Sequence, residues 1–107
     1  MLPEKPLTEP LSFTFYTCSQ AGIPLAERWA RTGIPDIFFD DFDEARRAVT
    51  ALRDDIMADP DAEWPTMILE KIETTPVTRS SVLALLNNGP GAFIAKYEVI
   101  ETIGPTA

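Results

Sequence analysis

The 107 residues, 45% hydrophobic and 24% charged, fit one folded domain and are too apolar for a disordered chain. With 17 acidic residues against 9 basic, the formal charge of -8 repels nucleic acid and anionic membranes, so direct binding to either is not expected. The absence of histidine and the presence of one cysteine, Cys18, exclude a histidine base, a Ser-His-Asp triad and histidine or multi-cysteine metal sites. They also exclude a redox CxxC pair and an intramolecular disulfide.

Residues 1–10, MLPEKPLTEP, carry three prolines and no hydrophobic period, and read as a flexible arm. A single domain is expected over 11–103, followed by a short tail over 104–107. Leu11–Cys18, LSFTFYTC, is rich in aromatic and β-favouring residues and predicts a central strand. Leu11, Phe13 and Phe15 share one face, with Tyr16 and Cys18 on the other. Residues 24–32 admit two readings. Pro24 can open a short helix, LAERWART, closed by Gly33, or the segment can return as a strand; helix formers favour the first.

Ile37–Phe39 predicts a brief strand that runs into a helix start. Asp41 is the expected N-cap, with Glu44 placed for a capping box and Asp43 and Glu44 at the positive end of the helix dipole. Phe42, Ala45, Val49, Leu52 and Ile56, with Ala48 beside them, form the apolar stripe. Pro60 stops this helix near Ala58, and Asp59–Pro65 is a turn. Thr66–Thr74 predicts a strand with Met67 and Leu69 on one face and Ile68 and Ile72 on the other. A second helix is expected to open at Thr75–Pro76, with Thr78 as the alternative cap, and to bury Val82, Leu83, Leu85 and Leu86. Asn87–Gly91, NNGPG, supplies its exit. In the last strand, Ala92–Ile103, Phe93, Ala95, Tyr97 and Val99 alternate against Lys96 and Glu98.

The order β-(short α or β)-β-α-β-α-β predicts an α+β fold: a two-layer sandwich in which a small mixed sheet of about four strands carries two main helices. No apolar run approaches the ~20 residues of a transmembrane helix. A lone cysteine and no secretory leader point to the cytoplasm.

Few constellations suggest chemistry. Cys18 in an aromatic strand behaves as a small hydrophobe, and Ser80 and Ser81 are explained by a helix start. Asp36, Asp40, Asp41 and Asp43 form one acidic cluster and Asp59, Asp61 and Glu63 another. Neither has EF-hand spacing, and capping and turns account for most of them. NNGPG lacks an adjacent lysine or arginine and reads as a tight turn rather than an anion nest. No cofactor or metal site is therefore indicated. Trp29 and Trp64 remain as candidate interface anchors, with core packing as the alternative for each. Asp59, Asp61 and Glu63 are the polar candidates beside Trp64.

These features point away from an enzyme and toward a small acidic protein–protein interaction or regulatory protein that binds a partner or itself as a homodimer. One alternative is an acidic nucleic-acid mimic that blocks a basic protein surface. The other is a Mg- or Ca-assisted carboxylate enzyme or small-ligand-binding domain.

Overall fold

A computed structural model describes residues 11–29 and 37–105. Its sheet is built from β1 (Thr14–Gln20), β2 (Met67–Thr74) and β3 (Ile94–Ile103), in that spatial order with both pairings antiparallel. Between them lie α1 (Leu25–Arg28), α2 (Phe42–Met57) and α3 (Arg79–Asn88), and a 3₁₀ turn, Pro90–Phe93, leads into β3. This is the expected α+β architecture, a small sheet carrying two main helices. The expected arm over 1–10, the Gly33 stop and Asp36 fall outside the described residues.

The described sheet has three strands and is wholly antiparallel, where about four in a mixed sheet were expected. Ile37–Phe39 contributes a single bridge: Tyr16 and Phe39 exchange both backbone hydrogen bonds, at 2.9 and 2.7 Å. The pairing goes no further because the chain turns at once into α2. Asp41 is its N-cap, and its carboxylate accepts from the Glu44 N–H at 2.8 Å.

Side-chain alternation divides the sheet into two unlike faces. One receives α2: Ala45, Val49, Trp64, Leu69 and Ile103 form the buried core, with Tyr16, Cys18, Phe39, Phe42 and Ile56 packed against it. The buried stripe of α2 keeps the expected Phe42, Ala45, Val49 and Ile56 but not Leu52. Leu52 is 48% exposed and Ala48 also faces solvent, whereas the Arg53 side chain is only 11% exposed. A long aliphatic stem can cover apolar surface while its charge stays wet, here against Asp54 at 3.1 Å.

The opposite face carries Phe15, Thr17, Glu70, Ile72 and Tyr97, as the register requires. Trp29 and Phe38 stack over this side, with ring centroids 6.3 Å apart. Leu85 of α3 meets Phe15, Ile72 and Thr74 around an apolar cavity of about 190 Å³. The two-layer arrangement therefore describes the sheet and α2, while α1, Trp29 and α3 close the far side.

Two expectations for α3 are corrected. It begins at Thr78, whose hydroxyl accepts from the Ser81 N–H at 3.0 Å while the Ser81 hydroxyl accepts from the Thr78 N–H at 2.7 Å. Thr75 and Val77 lie ahead of the helix, tied to neighbouring segments through their amides, which donate to Phe93 O and Leu11 O, each at 2.9 Å. Of the expected apolar side, only Leu85 is half-buried; Val82, Leu83 and Leu86 are exposed. The helix ends on Gly89, whose φ of 87° and ψ of 179° suit glycine alone. Gly91 then passes so close to Trp29 that a Cβ there would lie 3.0 Å from the tryptophan Cβ.

β3 holds the main surprise. The register skips one residue between Leu69 and Glu70 and another between Glu73 and Thr74, leaving Ile100 and Ala95 as bulge residues. The bulge at Ile100 changes which side chains face which way. Tyr97 and Val99 lie with Glu70 and Ile72, whereas Ile103 lies with Leu69 in the α2 core.

Candidate functional site

The tryptophans and carboxylates singled out in the sequence do not gather into one site. Trp64 is a core residue, 7% exposed, and its indole N–H donates to Ile103 O at 3.0 Å. Asp59, Asp61 and Glu63 are exposed; the Asp59 carboxylate accepts from the Asp61 N–H at 2.9 Å, an ordinary turn closure. Asp40, Asp41, Asp43 and Glu44 sit at the start of α2, and the Asp59 group follows its other end. A 16-residue helix separates them by ~24 Å. Arg46 and Arg47 are exposed between the two groups, and Arg46 holds Glu101 of β3 at 3.0 and 3.1 Å. No band of uninterrupted negative charge runs along this helix, and among the described residues no group of carboxylates or Cys18 is arranged to hold a metal ion.

Trp29 is the candidate that leads somewhere. It follows Arg28, and the Arg28 guanidinium lies 4.0 Å from its ring centroid. Arg28 reaches Glu70 through two bonds of 2.8 Å, Nε to Oε2 and Nη2 to Oε1. Both side chains are buried, at 2% and 0% exposure. Tyr97 donates its hydroxyl to Glu70 Oε2, and the Tyr97 ring meets Trp29 edge-on at 6.1 Å. Burial, then the hydrogen bond to Glu70 and the Glu70 charge, raise the Tyr97 phenol above its ordinary range.

This cluster joins α1 to β2 and β3. Chemically it is closed: each Glu70 oxygen is committed to a guanidinium nitrogen, and one also to the phenol. The carboxylate therefore has no free role as a general base. Sequence reading passed over Glu70, although the signal was present. Glu70 occupies the same parity as Ile68 and Ile72, so the face on which they are buried must also take the charge.

The apolar cavity beside α3 is likewise a weak chemical candidate. At about 190 Å³ it falls below the ~300–1,000 Å³ of most small-molecule sites.

The remaining feature is the outer edge of β3. The hydrogen-bonding phase can be followed across the sheet. Tyr16 turns its backbone groups outward to Phe39, so its partner Lys71 must direct its own toward β3, where it faces Glu98. Glu98 and Lys96 thus bond inward, while Tyr97 and Val99 present N–H and C=O away from the sheet. Among the described residues no strand covers this edge. Beside it, the part of the sheet left bare by α2 is a lattice of alternating charge. Lys96 lies opposite Glu73, 3.6 Å apart, and Glu98 lies opposite Lys71.

The chain matches no family model, and no curated protein or solved structure proves similar to it. Among the described residues no helix is long and apolar enough to cross a membrane.

Proposed function

We propose that this chain is a small protein-interaction module, not an enzyme, which engages its partner by strand addition along the outer edge of β3. What supports the reading is the outward backbone of Tyr97 and Val99 on a ten-residue edge strand. Exposed edges of this length are ordinarily blocked in folded proteins. The acidic charge keeps the free domain soluble, and in the cytoplasm Cys18 stays a thiol.

The test is affinity capture with the full chain and with Val99→Pro. Proline removes the outward N–H while sparing the inward ladder to β2, and circular dichroism verifies the fold. Mass spectrometry identifies what is bound, copies of the chain itself included. Capture by the parent that disappears in the proline variant is the expected result. Identical capture by both, or none by either, would overturn the reading.

A further inference from the structure

We infer that the occupant of the β3 edge is a second copy of this chain, paired antiparallel about Tyr97; this rests on the strand-addition reading above. Two-fold pairing of a strand with itself is isologous, so each residue meets the one equidistant from the centre on the other side. Residues directly opposite must share a phase, both pointing their backbone groups into the new ladder or both away from it. On β3 Tyr97 and Val99 point into it and Lys96 and Glu98 away, so the centre must fall on a residue and not between two.

Charge then selects among the centres. Centring on Lys96 sets two lysines face to face, and centring on Glu98 sets two glutamates face to face. Centring on Tyr97 places Lys96 of each copy opposite Glu98 of the other, twice in one dimer. The pairing extends outward into existing rows. Within one chain Glu73 neighbours Lys96, and Lys71 neighbours Glu98. Across the two copies the row becomes Glu73, Lys96, Glu98, Lys71, and its symmetry mate reads the same in reverse. Signs alternate at every step across four strands, on the part of the α2 side of the sheet that the helix leaves bare. An edge guarded only by lysines would repel its own copy; this one is complementary to itself.

The regular run between the two bulge residues is Lys96 to Val99. A centre on Val99 would carry the new ladder into the bulge at Ile100, whereas a centre on Tyr97 keeps both Lys96–Glu98 pairs inside the run. Tyr97 exchanges backbone bonds with Tyr97 of the second copy, and Val99, 46% exposed, faces the bulge residue Ala95. Trp29, packed on Tyr97, sits beside this seam, where an interface anchor belongs.

The test uses two single charge reversals in the full chain. Lys96→Glu leaves glutamate at both 96 and 98, and Glu98→Lys leaves lysine at both. Analytical ultracentrifugation should find the parent dimeric and each variant roughly tenfold to a hundredfold weaker in self-association, since two attractive pairs become repulsive. An equimolar mixture of the two variants should form a heterodimer, because every facing pair is again opposite in sign. High salt should shrink all these differences.

A parent that stays monomeric up to millimolar concentration overturns self-pairing. The strand-addition reading is then judged separately by whether Val99→Pro loses a different captured protein. A dimer that neither variant weakens, or variants that fail to pair when mixed, overturn the register. Each chain's fold is checked by its melting curve, because reversal also disturbs the exposed Glu73–Lys96 pair.

Discussion

Replacing Arg28 by methionine isolates the energetics of the buried cluster. The substitution removes both 2.8 Å bonds to Glu70 and leaves a carboxylate of 0% exposure without its counter-charge. Breaking a buried ion pair from one side costs ~3–5 kcal/mol, set against a total stability of ~5–15 kcal/mol for a domain of this kind. Loss of the guanidinium from above Trp29 adds up to ~1 kcal/mol. Replacing Glu70 by methionine as well removes the stranded charge, and the double variant should regain most of the loss. The two substitutions should therefore be non-additive by roughly 2–3 kcal/mol. Because the Tyr97 hydroxyl loses its acceptor whenever Glu70 is replaced, the cycle is run in a Tyr97→Phe background. Urea unfolding at a concentration where the chain is monomeric reads the result: with a slope of ~1–3 kcal/mol per molar, Arg28→Met lowers the midpoint by a molar or more. If Arg28→Met and the double variant prove equally unstable, or the single change costs under ~1 kcal/mol, the cluster is not the link between α1 and the sheet.

Four further outcomes rest on contacts described above. Trp64→Phe deletes the donor to Ile103 O within the core and should cost ~1–3 kcal/mol in denaturant unfolding. Thr78→Ala should cost ~0.5–2 kcal/mol through loss of the α3 cap. Thr75→Val should be neutral or stabilising, because the Thr75 hydroxyl is buried without a hydrogen-bond partner in the described structure; equal losses at the two threonines would place the cap wrongly. Stability should also fall as pH rises past the ordinary tyrosine value of 10.0. The folded state holds the Tyr97 proton more tightly than the unfolded chain, so this contribution is complete below that pH and is lost above it. Tyr97→Phe should flatten that limb of a stability-against-pH curve.

What was legible in the sequence was local. Asp41 and Glu44 announced the start of α2, and Ala45, Val49 and Ile56 its buried side, because a cap and a 3.6-residue period need only near neighbours. The alternation of Met67 and Leu69 against Ile68 and Ile72 likewise gave β2 its two faces. The failures arose where distant partners decided. Thr75–Pro76 is a sound helix opening by itself, but the distant Phe93 and Leu11 hold the Thr75 and Val77 amides. Leu52 is left exposed while the side chain beside it, Arg53, is largely covered, an outcome set by what α2 meets and not by the helix alone. Glu70 could be suspected from parity alone, yet its partner Arg28 lies 42 residues away. The β3 edge had its charges in plain view, but their directions emerged only after the ladder was phased from Tyr16 across to Glu98.

The extra residue at position 100 has a consequence for how this strand tolerates insertion and deletion. It works as a spacer that resets odd and even. Removing Ile100 would set Glu101 directly after Val99, so Leu69 would still face Glu101 and Met67 would still face Ile103 in an unbroken ladder. A shortening by one position is thus tolerated here, whereas removing two neighbouring residues would turn Ile103 out of the oily interior and take from Trp64 its carbonyl acceptor.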